Sequence, residues 1–156
     1  MSQKIIIHIL DQLVEIEKGT PWLDESFAKK FKPVNNDNAF VRPQPDIHSI
    51  AEIMSHLIVW RYEILSRLEG NPRKLSGNSP ENWKTNEELK PLGWENLIQQ
   101  FKDSQDKLTT LLKSKQDPFL ETPYGNKNFK YLVDGILHHD LYHLGQIGLV
   151  NKMLTP

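Results

Sequence analysis

Apolar residues recur along this chain at helical spacing in four separate segments, and prolines mark the gaps between them. In the first, Ile6, Leu10, Leu13 and Ile16 step by three and four residues, which places them on one helix face, and Gly19-Thr20-Pro21 is a natural stop. In the second, Ser49-Ile50-Ala51-Glu52 has the form of a capping box. The stripe Ile50, Ile53, Leu57, Trp60, Ile64 and Leu68 follows it and ends at Gly70-Asn71-Pro72. The third carries Trp94, Leu97, Phe101, Leu108 and Leu112 with charged and amide residues between them. The fourth runs from about Asn128 to Met153, with Phe129, Leu132, Ile136, His139, His143, Gln146 and Val150 on one stripe.

No segment alternates with period two for long enough to predict a sheet. The pattern therefore predicts an all-α chain, most simply a four-helix bundle occupying one domain over residues 1–156. The links of roughly thirty residues before Ser49 and roughly twenty before Trp94 exceed ordinary bundle loops. They predict crossovers or structured loops that cover a site, and their Trp22 and Trp83 predict order. Gly135, Gly145 and Gly148 lie inside the last helix, where each costs up to about 1 kcal/mol relative to Ala. Close approach of a neighbouring helix or subunit would offset that cost, and a long, well-packed helix would also tolerate it.

Lys and Arg number 19 against 20 Asp and Glu, a formal charge of -1, so no net positive field exists to hold nucleic acid or an anionic membrane. The apolar run Ile5–Leu10 is short, contains His8 and leads into Asp11 and Glu15 without a small-residue cleavage site. It reads as a core helix, not a signal peptide, and no other run suggests a membrane span. The chain has no cysteine, which excludes disulfides and thiolate ligands and points to a cytoplasmic setting. A metal site would have to be built from His, Asp and Glu.

His139 and His143, four residues apart on one helix, stack one turn above each other and can share a metal ion, although surface helices also carry such pairs. His56, inside the second helix, borders the apolar stripe and points to the core. There it fits either a packed, hydrogen-bonded residue or a third ligand. As ligands, the three would leave a coordination position open, the mark of a catalytic site as opposed to a structural one. The segment His139-Asp140-Leu141-Tyr142-His143 differs from the zinc-protease pattern HExxH by Asp for Glu and has no downstream ligand. The paired Glu-x-x-His motifs of di-iron bundles are absent. His138 is expected to face outward or a subunit interface, His48 to belong to the capping geometry before Ser49, and His8 to pack in the core. Asp140 and Gln146 are candidates for orienting an imidazole, or else for solvent or helix-packing roles, and Tyr142 for a proton donor or an interface aromatic.

The last helix, Gly135-Ile136-Leu137-His138-His139-Asp140-Leu141-Tyr142-His143-Leu144-Gly145-Gln146-Ile147, resembles the C-terminal motif of the DinB/YfiT-like superfamily. Ser49-Ile50-Ala51-Glu52-Ile53-Met54-Ser55-His56-Leu57 resembles that family's second-helix motif, and Gly19-Thr20-Pro21-Trp22, the Trp83 loop and Pro123-Tyr124-Gly125 extend the likeness along the chain. The resemblance implies an up-down-down-up four-helix bundle, a homodimer, and a divalent metal, zinc or nickel, held by His56, His139 and His143. It also implies reactions such as S-transfer from a low-molecular-weight thiol to a small-molecule substrate, or hydrolysis. A thiol co-substrate would supply the nucleophile that a chain without cysteine lacks. A non-catalytic metal-binding or stress-response protein is the alternative from another class. The loops at 20–48 and 70–92 are expected to shape the pocket.

Overall fold

The structure is a computed structural model that describes residues 2–155. Among these residues the helices are α1 (Lys4–Lys18), α2 (Phe27–Phe31), α3 (Ile50–Leu68), α4 (Asn86–Leu89), α5 (Trp94–Lys113) and α6 (Phe129–Leu154). The four long ones, α1, α3, α5 and α6, coincide with the four apolar stripes, and the chain is all-α in character. The one departure is a ladder of two residues a side, β1 (Pro123–Tyr124) against β2 (Lys127–Asn128), turned at Gly125 with φ 59°. Strands this short cannot produce a visible alternation.

The helix ends follow local chemistry. At α3 the capping box closes: Ser49 Oγ accepts from the Glu52 amide at 3.1 Å, and Glu52 Oε2 accepts from the Ser49 amide at 2.9 Å. At α6 the Asn128 side chain accepts from the Tyr131 amide. The first turn of α1 has no such side chain. Its Ile5 and Ile6 amides instead donate to Oδ1 of Asp117, each at 3.1 Å, from a segment beyond α5.

α3 packs against α5 and α6, and α1 packs against the same two helices, so that one continuous core forms around Leu13, Met54, Leu57, Phe101, Leu108 and Ile147. Gln3 Nε2 donates to the Lys115 carbonyl near the start of α1, and Gln105 Nε2 donates to the Leu13 carbonyl near its end, so α1 and α5 run in opposite directions. The connection after α1 is held by α2, not by Trp22. Phe27 and Phe31 meet Phe101 at ring separations of 4.9 and 5.6 Å, and Phe31 meets Trp94 at 5.5 Å. Trp22 itself is fully exposed, so the order of this link comes from α2 and not from that indole. His8 is likewise exposed, not packed in the core. It falls with Gln12 on the outer face of α1, away from the stripe of Ile6, Ile9, Leu10 and Leu13, and the two side chains bond at 2.6 Å. Of the three glycines in α6, only Gly148 is closely approached. A Cβ there would meet Cε of Lys30 at 3.1 Å, whereas Cβ atoms at Gly135 and Gly145 would meet nothing within 4 Å.

Between α3 and α6 lies a fully buried ion pair. Arg61 Nη2 donates to Asp140 Oδ2 at 2.6 Å, with both side chains 1% exposed, and the guanidinium stands 4.0 Å from the centre of the Phe101 ring. Burial pushes the Asp140 carboxyl up while Arg61 pulls it down. Removing one partner leaves the other charge uncompensated in the core. Asp140→Ala is therefore expected to lower unfolding stability in urea by about 3–5 kcal/mol, and the apolar pair Arg61→Met with Asp140→Leu to recover most of that loss. A loss below about 1 kcal/mol in the single variant would contradict this role.

Candidate metal centre

Capping at Ser49 fixes where α3 begins, and the Arg61–Asp140 pair holds α3 against α6. Together they bring His56 to face His139 and His143, and the ligand atoms of the three rings all lie within 4.8 Å of one another. His56 Nε2 stands 2.9 Å from His139 Nε2, and the ring centres of His139 and His143 are 4.5 Å apart. His56 and His143 are buried and His139 is partly so.

Two of the three rings have their outer nitrogen fixed. The Asn82 carbonyl can only accept, so at 2.9 Å it accepts a hydrogen bond from His56 Nδ1–H, which leaves Nε2 bare. His143 Nδ1 donates in the same way to Gln146 Oε1 at 2.6 Å, leaving its Nε2 bare. His139 Nδ1 is buried without a partner.

Burial drives all three towards the neutral form. It lowers His56 against the pull of its Asn82 bonds. His139 is lowered to about 3, by burial first and then by the neighbouring His143, His56 and Arg61. His143 is lowered to about 4, by burial first, with the Gln146 bond opposing. His56 and His143 turn bare Nε2 atoms inward, and His139 Nε2 donates to His56 Nε2. With its proton moved to the unpartnered Nδ1, His139 offers the third nitrogen, and three neutral imidazoles crowded together without an acid to pair them are a donor set suited to a divalent cation. Ligand nitrogens around tetrahedral zinc lie roughly 3.3 Å apart. The spacing here, from 2.9 Å to within 4.8 Å, reaches that with small side-chain adjustments, so the residues fit the ion.

The loop from Asn71 to Thr85 closes over His56. Trp83 is sandwiched between two imidazoles: His48 stacks at 3.8 Å and 2° on one face, and His56 at 3.9 Å and 7° on the other. Asn82 ties the same loop down, accepting from Trp60 Nε1 at 2.8 Å and donating to the Gly77 carbonyl at 2.9 Å. His48 also reaches Glu52 Oε2 at 3.4 Å, so it serves the capping box as expected and the Trp83 stack besides. Glu52 is held below its usual range, its Arg42 and Ser49 hydrogen bonds outweighing burial. Neither the stack nor the Asn82 anchor was legible in the spacing of residues, because both join positions far apart in sequence.

The remaining candidates sort plainly. Gln146 orients an imidazole, Asp140 is a helix-packing residue paired with Arg61, and Tyr142 is exposed with its ring 5.0 Å from that of His143. His138 is exposed. The histidines open onto a cavity of about 680 Å3 whose walls include Trp60, Trp83, Leu132, Ile136 and Tyr142. The 70–92 loop shapes it through Asn82 and Trp83, while no residue of the 20–48 loop lines it; that loop acts only through the His48 stack.

Two outcomes are expected. Because the folded values of His139 and His143 lie below the unfolded 6.5, only the unfolded chain takes up protons as pH falls from there. The metal-free protein should thus lose thermal stability between pH 6.5 and about 5, above the carboxylate range, and His139→Leu with His143→Leu should flatten that slope. A wild-type midpoint constant across this window would contradict the burial argument. Separately, Gln146→Leu should weaken zinc binding about 10- to 100-fold in a competitive chelator titration; an unchanged affinity would remove Gln146 from the site.

No curated protein and no solved structure matches the chain. The family model of the DinB superfamily matches residues 24–147, a span that includes all three histidines, the Trp83 loop and the Arg61–Asp140 pair. On that match the chain belongs to the DinB superfamily.

Proposed function

We propose that this protein is a metal-dependent transferase that joins a low-molecular-weight thiol to a small-molecule substrate at a site built by His56, His139 and His143. The observation that carries the reading is the convergence of three neutral imidazoles, two with their Nδ1 protons fixed by acceptors, at the wall of an open cavity. A divalent ion, zinc or nickel, supplies Lewis acidity there and lowers the pKa of a thiol or water that reaches it.

The protein's own residues do the rest. Asn82 and Gln146 hold the two imidazoles in the tautomer that presents Nε2 to the ion. Trp83 walls the site and shields His56 on one face. The apolar cavity walls exclude water from part of the substrate, which favours a thiol nucleophile over hydrolysis.

The reading places the site in a single-domain four-helix bundle of up-down-down-up order. It is supported by the packing of α3 and α1 against α5 and α6, by the opposed directions of α1 and α5, and by α3 and α5 advancing together, Arg61 lying beside Phe101 and the later turns from Tyr62 to Glu69 sharing a groove with Asp106 to Ser114. It also places the protein in the cytoplasm as a homodimer; no helix among the described residues is long and apolar enough to cross a membrane.

The test is elemental analysis of gently purified protein, followed by parallel assays of thiol conjugation and of hydrolysis with electrophilic and ester probes. About one zinc or nickel per chain is expected, with conjugation dependent on it and reduced at least about a hundredfold by His143→Ala. Metal-dependent hydrolysis without conjugation would replace the transferase reading by a hydrolase. Metal binding with neither activity, lost in His143→Ala together with thermal stability alone, would make the site structural.

A further inference from the structure

The cavity beside the histidines has a feature that metal ligation does not use. Successive residues of α6 turn by about 100°, and on that wheel Gly135 stands at the middle of the arc facing the cavity. Leu132 and His139 lie to one side of it and Tyr131, His138 and Tyr142 to the other, all within about 60°. A Cβ at Gly135 would meet nothing within 4 Å, and its φ is not positive, so neither close packing nor backbone conformation calls for glycine there. The space that its absent side chain leaves belongs to the cavity.

Arg67 lines the same cavity. It lies eleven residues beyond His56 on α3, about 16 Å along the helix axis. Its side chain is 9% exposed. Nε donates to Glu63 Oε1 at 2.8 Å and Nη2 to the Leu75 carbonyl at 3.4 Å, so the guanidinium is held in place, while Nη1 makes no hydrogen bond among the described residues. Between Arg67 and the histidines the walls are apolar, formed by Trp60, Ile64, Leu132 and Ile136. Asp134, also on the wall, is engaged by Lys130 Nζ at 2.6 Å.

We propose that this cavity is a binding channel, floored by Gly135, for an elongated ligand with an apolar body whose carboxylate is received by Arg67 Nη1. The proposal rests on the transferase reading only in taking the histidine end as the reacting end. A fixed, buried guanidinium whose Nη1 amino group has no partner among the described residues, at the end of an apolar trough, selects an acceptor oxygen over an ammonium group, because a charge-assisted bond forms with the first and none with the second. The cavity volume of about 680 Å3 is within the range of small-molecule sites, roughly 300–1,000 Å3.

The test is calorimetric titration of the metal-free and zinc-loaded protein with decanoate and decylamine, with tryptophan emission as a second readout because Trp60 and Trp83 line the cavity. Decanoate should bind at least about tenfold more tightly than decylamine, a preference that Arg67→Gln reduces to about twofold or less. Gly135→Leu should weaken decanoate binding at least about tenfold, keep the zinc stoichiometry of the wild type, and unfold at or above the wild-type temperature. If Arg67→Gln does not fold, the wild-type preference and the Gly135→Leu result decide. Equal binding of the two amphiphiles, absence of decanoate binding, or undiminished binding in Gly135→Leu would overturn the proposal. Zinc stoichiometry is read independently, so decanoate bound as expected by a protein that takes up no metal would contradict the transferase reading and leave the channel standing.

Discussion

The buried pair of Arg61 and Asp140 is the constraint on which the rest of the site depends. It is charged, directional and hidden from water, so α3 and α6 cannot slide past one another without separating two opposite charges in the core. His139 is the residue before Asp140, and His56 lies five residues before Arg61. A slip of one helical turn, about 5.4 Å, would carry His56 out of reach of the other two imidazoles. Apolar packing between the same helices is less exacting, since Leu, Ile and Val side chains adapt to shifts that an ion pair does not.

On that frame the centre reconciles two opposed demands. Burial lowers the histidines enough to keep them neutral and ready to ligate, and it would leave their outer nitrogens unsatisfied if nothing met them. Asn82 and Gln146 meet two of the three. Asn82 does so from a loop held down by the Trp83 sandwich and by the Trp60 indole, which makes the long connection before α5 part of the site. The matched span of the DinB superfamily, residues 24–147, contains every one of these parts.

Much of this was written locally in the sequence. The four long helices follow from apolar periodicity, and the start of α3 from Ser49 and Glu52, because caps and stripes act over a few residues. The three candidate ligands were legible for the same reason: four-residue spacing sets His139 over His143, and the stripe turns His56 inward. The parts not legible in the sequence depend on residues brought together from afar. Asp117 caps a helix more than a hundred positions away, Trp83 lies between His48 and His56, and Arg61 meets Asp140 across 79 residues. His8 has apolar neighbours in sequence, yet the helix wheel puts it with Gln12 on the outer face of α1. At Gly135 and Gly145 the sequence is compatible both with close approach of another helix or subunit and with simple tolerance in a long, well-packed helix. The space around them is open, and at Gly135 it is cavity.

The central claim is that three imidazoles from two helices hold one divalent ion with a position left open. X-ray absorption spectroscopy at the zinc edge of the loaded protein tests it most directly. The account predicts three imidazole nitrogens at about 2.0–2.1 Å with at least one further light atom, and loss of one imidazole contribution in His56→Ala. A spectrum with fewer than three imidazoles, or one unchanged by His56→Ala, would contradict it.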